Sequence, residues 1–200
     1  GGHAKSCIDV IEQEGKFEIA GLIIPELDME KNVLNYPFVG TDSDLENLKS
    51  DYDYALISVG FIKSPDNRIS LYHKLKDIGF ILPSIISSHA YVSPHSEIGE
   101  GTIVMHGVII NAGSIVGENC IVNSNALLEH DVVVGSQTHI STGVIINGDV
   151  NIGCGVFIGS NTTVKNGVNI EDNCTIGFGN KIRNDLNEKT YMGTPPTKLI

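Results

Sequence analysis

The chain has no tryptophan, and aromatic residues make up only 6% of its 200 positions. Charge is also sparse at 18%, and positive charge sparser still: 13 lysines and arginines stand against 24 aspartates and glutamates. The resulting formal net charge of −11 argues against nucleic acid and anionic membrane surfaces as partners. A phosphate-bearing ligand would therefore have to be held by local backbone N–H groups, because the overall field repels it. Cysteine is scarce and scattered. Cys7, Cys120, Cys154 and Cys174 form no CxxC pair, and no His/Cys cluster has zinc-ligand spacing. No apolar run approaches the roughly 18 residues of a membrane span, and no secretory leader pattern is present. A soluble, cytoplasmic chain without a metal is the expectation.

What is present is glycine, at 22 residues, and a hydrophobic fraction of 41%. Small β-branched residues with abundant glycine favour repetitive β structure over a helical bundle. The first eighty residues nevertheless alternate between helix and strand patterns. "HAKSCIDVIEQEG" predicts a helix closed by Gly15, "FEIAGLII" (17–24) a strand, and "TDSDLENL" a short helix with a capping box from Ser43 to Glu46. "YALISVG" (54–60) predicts a buried strand, and "SPDNRISLYHKLKDIG" a helix with Ser64 as N-cap, Pro65 at its first position and Gly79 as C-cap. The expected unit, residues 1–82, is a small Rossmann-like α/β domain with a parallel sheet.

From Ile86 the period becomes six. Sixteen consecutive hexads, ISSHAY to IGFGNK, begin with Ile, Val or Leu, and their fifth residue is Ala, Ser, Thr, Val, Cys or Asn. This is the hexapeptide β-helix pattern. Three hexads make one coil, so each residue stacks on the one about eighteen places away, one strand spacing of roughly 4.8 Å distant. Aliphatic first positions and small fifth positions point inward. Gly and Asn at second and fourth positions are expected to supply turn dihedrals. Residues 83–200 should thus form a triangular solenoid of about five coils with a C-terminal tail.

The frame makes Glu129, His130 and Asp131 conspicuous, three charges in "NALLEHDVVV". His130 holds the outward-facing third position. A neutral imidazole there suits general-base chemistry, with Asp131 or Glu129 raising its basicity. A His130–Asp131 contact requires a bend, since neighbours on an extended strand point to opposite faces. Gly148, eighteen residues on, is a candidate oxyanion donor through its N–H, or a simple turn residue. His139, last in its hexad half a coil beyond His130, is either a functional residue or a corner histidine; His89, His95 and His106 are read as surface residues, and Cys120 and Cys174 as packing residues.

Taken together, "GGHAKS", "VGFIKSPDNR", "NSNALLEHDVVVG", "THISTGVIINGDVNIG" and "YMGTPPTKLI" resemble the sugar O- and N-acyltransferases with an N-terminal nucleotide-sugar-binding unit. These include bacillosamine-pathway and perosamine N-acetyltransferases and sialic acid O-acetyltransferases. The resemblance implies a left-handed β-helix, acetyl-CoA as co-substrate, a nucleotide sugar as acceptor and a homotrimer with the coenzyme between neighbouring prisms. It implies His130 as catalytic base with Asp131 raising its pKa. His139, Gly148, Ser160, Gly193 and Lys198 would line the acetyl-CoA site. Gly1, Gly2, His3, Gly60, Phe61 and Arg68 would bind the nucleotide sugar. One departure is "GLIIPELD" where many members carry an Asp pair, which puts ribose recognition in question. The expected reaction is N-acetylation of a nucleotide-linked 4-amino-4,6-dideoxy sugar; a sialic-acid-type O-acetyltransferase is the alternative. A carbonic-anhydrase-like β-helix is disfavoured, since His106, His130 and His139 lack its zinc-ligand spacing.

Overall fold

The structure, a computed structural model, describes residues 1–25 and 33–193. Helix α1 (Gly2–Glu14) ends as expected at Gly15, whose φ of 70° is the left-handed conformation a glycine adopts without strain. Strand β1 (Leu22–Ile23) pairs in parallel with β2 (Phe38–Gly40). Helix α2 (Leu45–Leu48) follows, and α3 (Asp66–Ile78) closes on Gly79.

Several local expectations shift. The strand expected over 17–24 pairs only at Leu22–Ile23, and Phe17 instead packs edge-on against Tyr54 at 5.2 Å. The N-cap of α2 is Asp44, not Ser43, and the Asp44 carboxylate accepts from the Thr41 N–H and hydroxyl. Ser64 lies one residue outside the N-cap of α3, yet its hydroxyl still accepts the Asp66 N–H at 3.2 Å. "YALISVG" forms no regular strand. It makes one parallel bridge, Tyr54 to Ile81, and only Ile57 within it is fully buried. The physical reason is a competing donor: the Arg68 guanidinium takes the Ile57 and Val59 carbonyls that a neighbouring strand would use.

The solenoid begins with Ile85–Ile86 and is built from two-residue strands at six-residue intervals. They stack in parallel into three faces of seven, six and five strands, so the longest face exceeds the five coils expected. The first face runs from Ile85–Ile86 to Tyr191–Met192, the second from Tyr91–Val92 to Lys181–Ile182, and the third from Glu97–Ile98 to Asn169–Ile170. The eighteen-residue register holds throughout (Leu127 on Ile145, Ile140 on Ile158) until the last coil, where Thr175 pairs with Tyr191. First-position side chains from Val104 to Ile176 fill the prism, each essentially inaccessible to solvent. Each such burial contributes about 1.5–3 kcal/mol.

The division of labour among glycines differs from the expectation. All fourteen fourth positions from Gly101 to Gly179 have positive φ, including Asn125, Asp131 and Asp149. Second-position glycines do not. They allow coils to approach: a Cβ on Gly135 would lie 2.5 Å from the Gly153 carbonyl carbon.

The α/β unit is fastened to two places on the prism. Helix α1 covers the first face, with Cys7 and Val10 packed on Ile85, Ile103, Met105 and Ile121. Helix α3 lies along the edge between the third and first faces, where Tyr72 reaches Glu100 and Glu118. His106 is half-buried, not a free surface residue: Ser87 Oγ lies 2.6 Å from its Nδ1, and its Nε2 meets Asp9 of α1 at 2.8 Å.

Candidate active site

His130 and Asp131 occupy the edge between the second and third faces. Asp131 has a φ of 60°, and this left-handed residue is the bend that turns its carboxylate back toward its neighbour. Asp131 Oδ2 meets His130 Nδ1 at 2.8 Å, and both side chains are more than half exposed. The hydrogen bond to Asp131 raises the His130 pKa above its ordinary value, with the charges of Asp131, Asp149 and Glu129 adding to the effect. Glu129 accepts from Asn111 Nδ2 at 3.1 Å, so Asp131 is the carboxylate paired with the ring. With Nδ1 so engaged, Nε2 is the nitrogen free to exchange a proton. Gly148 lies against the ring one coil on, and its N–H has no acceptor among the described residues.

A second group forms where α1 meets the first face. His139 is not a corner residue. It sits outward on the first face, buried beneath Phe61, and its Nδ1–H donates to the Phe61 carbonyl at 2.8 Å. The ring of His3 stands 6.4 Å from that of His139, and Gly60 lies against the His3 ring. Burial, then the nearby Arg68 charge, lowers the His3 pKa to about 4. Burial likewise takes His139 to about 4. Gly1 and Gly2 sit exposed at the N-terminus of α1, with Gly1 as the cap.

Beside this group a cavity of 730 Å³ opens along the first face and its edge with the second. His139, Ser141, Phe157, Ser160, Phe178 and Tyr191 line it, with Ile62 and Lys63 at the α/β end. Ser160, expected at the acetyl-CoA site, is among the lining residues. Phe157 and Phe178 were not expected, although the signal existed: they are the two phenylalanines within the sixteen hexads. The Gly193 carbonyl accepts from Asn180 Nδ2 beyond the last strand, and Lys198 lies outside the described residues.

Arg68 departs from its expected role. It is 1% exposed, and its guanidinium donates to the carbonyls of Ile57, Val59, Asn119 and Gly101. A side chain so enclosed cannot face a nucleotide; it ties the α/β unit to the prism. Among the described residues no group of three or more His, Cys, Asp or Glu could hold a metal ion. None of the described helices is long and apolar enough to cross a membrane.

The buried His139 and the half-buried His3 set an acid limit. Unfolded, both titrate near 6.5; folded, near 4. Between these values the unfolded chain binds more protons, so stability falls as pH drops from 6.5 toward 4. Thermal midpoints measured across that range should decline, and His3→Asn combined with His139→Gln should flatten the slope.

Comparison with known proteins decides the family. Residues 95–130 and 149–184 match the bacterial transferase hexapeptide model, and residues 1–75 match the PglD N-terminal domain. The chain is similar to perosamine N-acetyltransferase from Caulobacter crescentus in complex with CoA and GDP-perosamine. Identity is 32% over 99% of this chain and 92% of that one, with a TM-score of 0.89. It belongs to the hexapeptide-repeat acetyltransferases that carry a PglD-type N-terminal domain. The prism is accordingly the left-handed parallel β-helix of CoA-dependent acetyltransferases. The acetyltransferase domain of PglB from Neisseria gonorrhoeae is also similar, at 27% identity, covering 100% of this acetyltransferase and 96% of that domain, with a TM-score of 0.89. It too is known with acetyl coenzyme A. A comparison with curated protein sequences gives no match.

Proposed function

We propose that this acetyltransferase transfers an acetyl group from acetyl-CoA to the 4-amino group of a nucleotide-linked 4-amino-4,6-dideoxy sugar. The observation that carries the reading is the exposed His130–Asp131 pair, an imidazole with raised basicity and an unencumbered Nε2. The sugar amine attacks the thioester carbonyl, and His130 Nε2 accepts the amine proton as the C–N bond forms. The C–S bond then breaks, and the departing thiolate takes up a proton. The unpaired N–H of Gly148 is placed to steady the oxyanion. The relative from Caulobacter binds CoA and GDP-perosamine, and its structures include variants in which a histidine is replaced by Asn or by Ala.

The layout within one chain favours a trimer. The cavity lies on the first face and its edge with the second, whereas His130 stands on the second–third edge, with the whole second face between them. That face exposes Tyr91, Ile109 and Ile145, and the third exposes Ile115 and Val133. Packing such surfaces around an axis would cover them and bring the base of one copy to the cavity of the next. In this arrangement residues 1–82 present the nucleotide sugar through His3, Gly60 and Phe61. The cavity of the β-helix, with His139 and Ser160, takes the pantetheine arm.

Purified protein should release a thiol from acetyl-CoA in the presence of GDP-perosamine or a UDP- or dTDP-linked analogue, leaving an acetylated nucleotide sugar detectable by mass. Acetylation of a hydroxyl on a nine-carbon sialic acid, with the amino sugars untouched, would sink the proposal in favour of the O-acetyltransferase.

A further inference from the structure

Gly148 raises a problem that neither turn geometry nor coil stacking solves. It holds a third hexad position, and the other fifteen third positions, Ser88 to Phe178, all carry side chains. Its φ is not in the left-handed region, so the backbone there asks for no glycine. What the missing Cβ leaves open is space for one ring. A Cβ on Gly148 would stand 2.6 Å from Cε1, 2.7 Å from Nε2 and 3.2 Å from Nδ1 of His130. The ring's carboxylate partner and its own backbone are held in place. Asp131 is fixed by its left-handed turn and by its N–H, which donates to the Ala112 carbonyl at 3.1 Å. The His130 carbonyl accepts the Asp149 N–H at 3.2 Å.

We infer that Gly148 is a positioning residue, a flat rest on which the His130 imidazole lies so that Nδ1 stays on Asp131 and Nε2 faces outward. This deepens the acetyltransferase reading above and rests on it for its catalytic consequence. A methyl group at 148 would push the ring away by roughly 1 Å, since carbon atoms settle at about 3.5–4.0 Å. The ring can yield by rotating about χ1, so the fold survives, but rotation draws Nδ1 off the carboxylate that holds it at 2.8 Å.

Gly148→Ala is the test, because alanine keeps the backbone N–H. With that N–H retained, loss of an oxyanion donor cannot by itself account for a change in the His130 titration. On the inference, proton NMR titration of the ligand-free protein shows the His130 pKa falling back toward the ordinary histidine value. The kcat falls about 10²-fold, as a 1 Å misplacement can produce, while KM for acetyl-CoA stays within about twofold. A double-mutant cycle guards against a mere folding defect. In a His130→Ala background, Gly148→Ala should cost nothing further in Tm, because the ring it displaces is gone. An unchanged His130 titration in Gly148→Ala overturns the inference, and so does an equal Tm loss in both backgrounds. The titration needs no substrate, so the absence of acetyl transfer by the unsubstituted protein would count against the acetyltransferase reading alone.

Discussion

His130→Ala should lower kcat by about 10²–10⁴-fold, the usual contribution of a positioned general base, with little change in the thermal midpoint. The side chain is 58% exposed and supports nothing in the core, so on the proposed mechanism its loss removes chemistry and leaves packing intact. The accompanying pH profile has a definite sign. On the proposed mechanism the base acts as neutral imidazole, while the hydrogen bond to Asp131 favours its protonated form. Activity should therefore rise with pH through a value above the ordinary 6.5 of histidine. Asp131→Asn removes the largest cause of that shift, so the rising limb should move to lower pH while the maximal rate declines. A His130→Ala protein that turns over at near the unsubstituted rate would remove the base from the mechanism. A limb that stays in place in Asp131→Asn would assign the shift to Asp149 or Glu129 instead.

The second large effect concerns stability. Arg68→Met should destabilise the fold by about 3–5 kcal/mol, the net of several buried carbonyls losing their donor at about 1–3 kcal/mol each and relief of the guanidinium's own burial. Three of its hydrogen bonds are between 2.6 and 3.0 Å, and the carbonyls of Ile57, Val59 and Asn119 would lose their donor away from water. Each orphaned carbonyl costs about 1–3 kcal/mol. Against this stands the expense of burying a guanidinium with no carboxylate beside it, visible in an Arg68 pKa that burial lowers to about 10. The hydrogen bonds win because four carbonyl dipoles converge on one planar fork. Arg68→Lys should rescue little, since a compact ammonium cannot reproduce that fork. Calorimetric or denaturant unfolding measures both variants; a loss under about 1 kcal/mol for Arg68→Met would show the junction to be held by apolar packing alone.

Arg68 also shows where reading the chain reaches its limit. In sequence it is one basic residue near the start of a helix, in a loop-to-helix segment that resembles a ligand pocket. Nothing local distinguishes a cation that meets phosphate from one that meets four carbonyls, because three of those carbonyls belong to residues from 11 to 51 positions away. The same holds for "YALISVG". Its apolar run has the composition of a strand, but its hydrogen-bond acceptors are taken by that guanidinium. His139 was legible as a functional candidate but not as a buried one, since its cover, Phe61, lies 78 residues away.

The hexad register by itself determined the prism, the inward column from Val104 to Ile176, the outward placement of His130 and the need for a bend at Asp131. These follow from a fixed repeat, in which every side chain's direction depends only on its place in the six. Tertiary packing alone decided that α1 and α3 mask the first face and one edge. It also decided that Arg68 serves the junction, and that the cavity and His130 stand on different edges of the prism. These outcomes depend on which distant backbone groups and faces meet, and a repeat that is the same on all three sides carries no information about which side the rest of the chain will cover.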